Sequence, residues 1–137
     1  MKRFEIIDHT ADIGLVAHGR TLKEAFANAA YGMFTFIAEL EEVGENACQE
    51  VEVQAEDQES LLVTWLNELL YQFETTRIIF KRFDILNLSQ TTLKARIHGE
   101  EMDIQRHSLK SGVKAATYHM LQIDKGDGYR VQVIFDV

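Results

Sequence analysis

The residues best suited to chemistry lie near the start of the chain, in the segment IIDHTADIG at Ile6–Gly14. A short apolar run typical of a strand leads into polar residues, and Gly14 would allow the chain to bend after them. A turn at this point would direct several groups that bind protons or metal ions toward one place. Those groups are Asp8, His9, Thr10 and Asp12.

The other end of the sequence carries a second set of oxygen atoms. Asp136 precedes Val137, so a side-chain carboxylate lies beside the carboxylate of the last residue. If the fold brings this end to the HTADIG segment, Asp12, with or without Asp8, and the C-terminal oxygens would form a site for a hard cation such as Ca²⁺ or Mg²⁺. The alternative is that Asp and His only cap backbone groups in the turn. Zinc fits less well, because thiolates and closely spaced histidines are absent.

A second group of candidate residues lies in the polar segment Gly99–Gly112, which we predict to be a loop without strand periodicity. Asp103 lies among its acidic residues. Four positively charged or titratable residues follow in or just after it: Arg106, His107, Lys110 and Lys114. They could bind an anion or an acidic patch on a partner. The alternative is a solvated loop crossed by weak ion pairs.

The remaining histidine of interest, His119, lies in a stretch whose alternate residues are largely apolar. We therefore expect His119 on a core-facing side of a strand rather than in a catalytic site. The chain has no Gly-rich phosphate loop, no G-x-S-x-G elbow and no H-E-x-x-H motif. These absences argue against a recognisable enzyme class.

Composition limits the function further. The chain has 137 residues, 46% of them hydrophobic and 26% charged, which predicts one soluble domain over 1–137. Its net charge of −8 disfavours direct binding to nucleic acid and suits a basic protein partner. Cys48 is the only cysteine, so no internal disulfide can form. Without a signal sequence or an apolar stretch long enough to span a bilayer, we expect no membrane association and a cytoplasmic protein.

The hydrophobic pattern predicts two amphipathic helices. The first has a T-x-x-E capping box at Thr21 and should end near Glu39. The second has Asp57 as its N-cap and runs for about 17 residues. The strands predicted from period-two alternation are 4–7, 13–18, 49–55, 78–80, 83–88, 91–98, 113–124 and 129–137. Since helices and strands do not alternate regularly, we predict an α+β fold in which a mostly antiparallel or mixed sheet packs against two helices.

Six blocks of this sequence resemble the archease family in order and spacing. They are HTADIG with its leading strand, TLKEAFANAA, LLVTWLNELLYQFET, GEEMDIQRH, VKAATYHML and QVIFDV. The resemblance covers essentially the whole chain. It implies a small acidic protein that is not itself an enzyme but serves as a cofactor of an RtcB-type RNA ligase, promoting its guanylylation and its repeated turnover in tRNA splicing or RNA repair.

The resemblance also implies roles for individual residues. Asp12 and Asp136 correspond to the family's metal-binding aspartates, and Val137 corresponds to the terminal residue that completes the site. The ion implied is Ca²⁺, with Mg²⁺ or Mn²⁺ as alternatives in function. Residues that match family blocks with less defined roles, in partner contact or in support of the fold, are His9, Asp103, Arg106, His107, Lys114 and His119.

Two other functions remain open. A metal-dependent hydrolase or transferase would use Asp12 and Asp136, with His9 or His107 as general base. A general chaperone-like binding module would not depend on Asp12. The sequence leaves the strand order, the oligomeric state and the contact surface for the ligase undetermined.

Overall fold

The computed structural model describes residues 2–9, 12–110 and 112–137, and for Asp8 and His9 it describes the backbone alone. Two helices and seven strands form in these residues. The strands are β1 (Phe4–His9), β2 (Asp12–Gly19), β3 (Ala47–Gln54), β4 (Ile78–Leu88), β5 (Thr92–Glu101), β6 (Ala115–Lys125) and β7 (Tyr129–Asp136). The helices are α1 (Leu22–Thr35) and α2 (Gln58–Thr76), and a 3-10 turn occupies Leu40–Glu42.

The strands form two separate antiparallel sheets. One has four strands in the order β1-β2-β7-β6, and the other has three in the order β3-β5-β4. Helix α1 packs against β2 of the first sheet and β4 of the second, and α2 packs against β6 and the second sheet. The predicted α+β class with two helices is confirmed. Neither helix in the described ranges has the length and apolar character needed to cross a membrane.

Helix α1 begins where its capping box predicts and ends earlier than expected. The Thr21 hydroxyl accepts a hydrogen bond from the Glu24 N–H at 3.1 Å. The prediction that the helix continues to Glu39 is wrong, because the next residues bond to the segment before β6. The carbonyl of Ile37 accepts from the N–H of Lys110 at 2.8 Å. This tertiary pairing outweighs the local helical pattern.

Helix α2 supplies much of the core between the sheets. Asp57 is its N-cap, as predicted, accepting from the Ser60 N–H at 2.7 Å. The indole N–H of Trp65 donates to the buried carbonyl of Phe26 in α1 at 3.1 Å, so the largest core side chain also satisfies a polar atom. The buried residues of α2 are Leu61, Leu62, Val63, Trp65, Leu66, Leu69 and Leu70.

The prediction of a loop from Gly99 onward is wrong for its first three residues, which extend β5 to Glu101. A Cβ on Gly99 would lie 1.9 Å from the carbonyl oxygen of Ile79. The glycine therefore allows β4 to approach β5 closely, next to a register shift between Phe80 and Arg82. The same shift lies inside one continuous strand, β4, where two separate strands were predicted.

Helix α2 also covers the outer edge of β6. The side-chain amide of Asn67 accepts from the N–H of Ala116 at 2.8 Å and donates to the carbonyl of the same residue at 3.2 Å. Ala116 pairs with Phe135 of β7 on its other side. Asn67 thus takes the place of a neighbouring strand and satisfies an edge that would otherwise be open.

Candidate functional site

The two carboxylates predicted to bind a cation lie at the same end of the four-stranded sheet. Ile13 of β2 pairs with Phe135 of β7. Asp12 precedes the first of these residues and Asp136 follows the second, so the antiparallel register sets the two aspartates side by side on neighbouring strands. Side chains directly opposite each other in such a pair have Cβ atoms about 4.5–5.5 Å apart.

The outer strands of the sheet close the same end. His9 of β1 pairs with Asp12, and Ala115 of β6 pairs with Asp136. The N–H of Lys114 donates to the carbonyl of Asp136 at 2.8 Å. Segments far apart in sequence therefore meet around the two aspartates, and Lys114, whose side chain is exposed, is their neighbour along the backbone.

Gly14 lies inside β2 and pairs with Ile7 and Ile134, so the expectation that it bends the chain is wrong. A Cβ at this position would lie 3.0 Å from Cδ1 of Ile134 and 3.1 Å from the carbonyl oxygen of Ile7. The missing side chain gives Ile134 room to lie across β2. The glycine of the HTADIG motif thus serves packing beneath the aspartates.

The described side-chain donors at this end are the carboxylates of Asp12 and Asp136, which are hard oxygen ligands. Asp12 is half-buried, Asp136 is exposed, and Val137 is 40% exposed. Among the side chains that the structure describes, no group of three or more His, Cys, Asp or Glu residues is placed to hold a metal ion. Two carboxylates and main-chain oxygens fit Ca²⁺, Mg²⁺ or Mn²⁺ as a partial shell that water or a partner would complete. Thr10 and the side chains of Asp8 and His9 lie outside the described residues.

The segment after β5 has a different organisation, centred on a buried histidine. His107 is 3% exposed. Its Nδ1 accepts a hydrogen bond from the N–H of Asp103 at 2.9 Å, and its Nε2 lies 2.9 Å from Oε1 of Glu100. Because Nδ1 is an acceptor, the proton of the neutral ring is on Nε2, which donates to the glutamate. His107 is therefore held on both sides within the protein.

Glu100 is the anchor that the sequence analysis did not single out. Hydrogen bonds from the Gly44 N–H and from His107, together with Arg106, lower the pKa of this carboxyl to about 2. The Gly44 N–H donates at 2.9 Å, and the Arg106 guanidinium forms an ion pair with the other carboxylate oxygen. The only signal in the sequence was an acid at the end of a strand followed by several cations.

Two more of the candidate residues in this segment, Asp103 and Lys110, also have partners within the chain. The Asp103 carboxylate accepts from the Gln105 N–H at 3.0 Å, which forms a local turn. Lys110 lies 3.1 Å from a carboxylate oxygen of Glu39. These contacts fit the alternative of a polar loop with ion pairs more closely than a single basic cluster.

His119 is exposed, so the expectation of a core-facing histidine is wrong. The pairing of β6 with β7 is interrupted between Thr117 and Gln122, and the residues between them leave the regular alternation. Met120 there has a φ of 52°, in the left-handed region that is uncommon for a residue with a side chain. The sequence prediction assumed that side chains alternate regularly along the whole of β6. Because the alternation is broken here, the prediction placed His119 on the wrong side of the strand.

Comparison with known proteins assigns the chain to a family. The model of the Archease protein family matches residues 4–137. The chain belongs to the archease family. It is 40% identical to Protein archease of Methanosarcina acetivorans, over 99% of this chain and 97% of that one. It is 36% identical to Protein archease of Sulfolobus acidocaldarius, over the full length of both.

Solved structures agree with this assignment. The solution structure of protein 1598 of Methanobacterium thermoautotrophicum matches this archease-family chain with a TM-score of 0.86 and 38% identity, covering all of both chains. A crystal structure described as an archease and possible chaperone, from Thermotoga maritima, matches with a TM-score of 0.68. It covers 96% of this chain and 94% of that one, and at 21% identity it shows the shared fold alone.

Proposed function

We propose that this archease-family protein is a non-enzymatic, cytoplasmic cofactor of an RtcB-type RNA ligase, acting in tRNA splicing or RNA repair. The observation that carries the proposal is the register that brings Asp12 and Asp136 to one end of the four-stranded sheet. Membership in the archease family supports the ligase as the proposed partner. The acidic composition, with a net charge of −8, favours encounter with a basic, RNA-binding surface.

In this proposal the carboxylates of Asp12 and Asp136 and a main-chain oxygen of Val137 hold a divalent cation, Ca²⁺ or in function Mg²⁺ or Mn²⁺. A bound cation would neutralise charge on the triphosphate during guanylylation of the ligase. The protein's own contribution is to present hard oxygen donors on a rigid strand pair. Because the described donors make only a partial shell, groups of the ligase can complete it and then leave.

Other residues position or surround this end. Lys114 is backbone-bonded to Asp136 and exposed, so it can contact the ligase beside the carboxylates. His107, with Asp103, Arg106 and Glu100, fixes the loop that leads from β5 to the start of β6. His9, whose backbone pairs with Asp12, and the exposed His119 of β6 are also proposed as contacts with the ligase.

The test is multiple-turnover RNA ligation by the ligase with Asp12→Asn, Asp136→Asn and the double variant. We expect stimulation to fall by at least roughly tenfold in each, as losses of metal-site groups usually produce. Asp127→Asn, in the exposed β6–β7 turn, is the matched control and should retain full stimulation. Full stimulation by the folded double variant would contradict the proposed metal site.

The same preparations separate the alternative functions. A hydrolase or transferase would turn over nucleotide or RNA without the ligase, in a manner dependent on Asp12. A general chaperone-like module would protect unrelated clients from aggregation, and Asp12→Asn would do so as well as the wild type. Either result would contradict the ligase-cofactor proposal.

A further inference from the structure

A small cationic cavity lies at the opposite end of the four-stranded sheet from the aspartates. It has a volume of about 280 Å³ and is lined by Lys2, Arg3, Arg20, Glu24 and Asn28. Strand β2 runs from Asp12 to Gly19, so about 23 Å of extended backbone separates the two ends. The cavity is therefore distinct from the candidate metal site.

Arg3 is held in one orientation at this cavity. Its Nε donates to the Oδ1 of Asn28 at 3.1 Å, and its guanidinium carbon lies 3.8 Å from the centre of the Tyr31 ring. Asn28 is 8% exposed and is itself fixed by donation from its amide nitrogen to the carbonyl of His18 at 2.7 Å. The contacts use Nε and one face of the guanidinium, which leaves the two terminal nitrogens as donors.

Arg3 and Arg20 form no ion pair with any acid among residues 2–9, 12–110 and 112–137, although the chain is strongly acidic. Of the other described arginines, Arg82, Arg96, Arg106 and Arg130 form such pairs and Arg77 does not. Lys2 lies 3.8 Å from Glu5 at a largely exposed position, which is a weak contact. Two arginines that face one cavity, neither of them in a salt bridge with its one lining carboxylate, Glu24, point to an external anion.

The charge balance at the cavity favours a compact dianion. Lys2, Arg3 and Arg20 supply three positive charges against the one carboxylate of Glu24. Glu24 accepts from the N–H of Arg20 at 3.4 Å, and Thr21 accepts from the N–H of Glu24, so these two N–H groups are already in use. The donors that remain on the lining side chains are the guanidinium and ammonium groups, and the forked donors of a guanidinium suit phosphate oxygens.

From this geometry we infer that the cavity binds a single phosphate group, either free or at the end of a small molecule. The volume of about 280 Å³ has room for one phosphate group together with water, or for the phosphate end of a small molecule. A nucleic-acid backbone needs a row of cations, and a single cavity on a chain of net charge −8 does not provide one. The inference is independent of the ligase and of the metal site.

Titration with inorganic phosphate at constant ionic strength, followed by backbone amide chemical shifts, tests the inference. The wild type should show saturable shifts around Arg3, Arg20 and Asn28. Arg3→Gln and Arg20→Gln should each weaken binding roughly tenfold, the usual cost of a lost charge-assisted hydrogen bond. Glu24→Gln should strengthen it. Arg82→Gln, at an arginine paired with Asp84 and Glu45, is the matched control and should bind as the wild type does.

Two further arms identify the source of the phosphate. Adenosine monophosphate should bind at the same residues as free phosphate, and adenosine should not bind. Arg20→Gln keeps the test informative if Arg3→Gln fails to fold, because the Arg20 side chain makes no hydrogen bond in the described residues. Non-saturating shifts, equal binding by Arg20→Gln and the wild type, or much tighter and salt-dependent binding of a single-stranded RNA would overturn the inference.

Discussion

Nε2 of His107 donates to Oε1 of Glu100 at 2.9 Å, while Nδ1 of the same ring accepts from the N–H of Asp103. One buried ring thus joins the end of β5 to the loop that returns the chain to β6. The loop in turn leads to Lys114, which bonds to Asp136. The buried ring therefore helps to fix the loop whose far end bonds to one of the two aspartates of the candidate metal site.

Substitution of Glu100 should change the pH dependence of stability. The pKa of its carboxyl is lowered from 4.5 to about 2 in the fold, so the folded state holds the proton less tightly than the unfolded chain does. Its contribution is fully present above about pH 4.5 and is lost as the pH falls toward 2. Urea unfolding across this range should show a flatter acid limb for Glu100→Gln than for the wild type. Glu56→Gln, at an exposed acid, is the control, and equal slopes for Glu100→Gln and the wild type would contradict the prediction.

Removal of the His107 ring should destabilise the protein itself. His107→Ala leaves the Asp103 N–H without its acceptor and removes one donor from the Glu100 carboxylate at a buried position. We expect the free energy of unfolding to fall by about 2–3 kcal/mol, as for other buried hydrogen bonds whose partners stay behind. His107→Gln, which keeps a donor and an acceptor, should lose less. If His107→Ala and the wild type are equally stable in urea, the hydrogen bonds of the His107 ring do not stabilise the fold.

Loss of the Asn67 side chain should open the edge of β6. Asn67→Ala removes both hydrogen bonds to Ala116 and should cost about 1–2 kcal/mol of unfolding free energy. Amide hydrogen exchange at Ala116 should accelerate more than exchange at Val133 in the centre of β7. Asn67→Leu keeps the side-chain volume but not the hydrogen bonds, so it should show the same acceleration. If Asn67→Ala accelerates exchange and Asn67→Leu does not, the packing of the side chain, rather than its hydrogen bonds to Ala116, protects the edge of β6.

Gly14 and Ile134 should be energetically coupled. A Cβ on Gly14 would lie 3.0 Å from Cδ1 of Ile134, so Gly14→Ala should cost about 1–3 kcal/mol of unfolding free energy. Ile134→Val removes that Cδ1 and should relieve part of the cost. A double-mutant cycle by urea unfolding should therefore give a coupling energy of at least about 0.5 kcal/mol. If the two changes in unfolding free energy are strictly additive, Ile134 does not need the space left by the missing side chain of Gly14.

Added calcium should stabilise the isolated protein if the aspartates bind it. The melting temperature of the wild type should rise with Ca²⁺ concentration, since a ligand of the folded state alone adds to its stability. Asp12→Asn and Asp136→Asn should abolish most of this rise, and Asp127→Asn should preserve it. An equal rise in all four proteins would place calcium elsewhere.

Much of the local structure followed from the sequence, because its causes are local. The Thr21 and Asp57 caps and the apolar stripe of α2 depend on residues a few positions apart. The meeting of Asp12 with Asp136 was expected as a condition of the cation hypothesis, and the register of β2 with β7 supplies it. The choice of β7 as a neighbour of β2 is a long-range contact, which no local pattern encodes.

What the sequence did not predict depends on distant contacts. Helix α1 ends at Thr35 because the segment near Lys110 bonds to Ile37. His119 is exposed because β6 breaks its pairing with β7 before Gln122. The division into two sheets was also not predicted, since alternation shows which face of a strand is buried but not which strand lies beside it.

The pairing of β2 with β7 has a consequence for synthesis on the ribosome. Strand β2 is among the first elements to emerge, yet β7, one of the two strands beside it, follows all the other described strands, so the central pair of its sheet cannot form until β7 has been synthesised. A nascent chain that stops before β7 would have Asp12 but not Asp136. Only a chain synthesised through β7 can present both acids together.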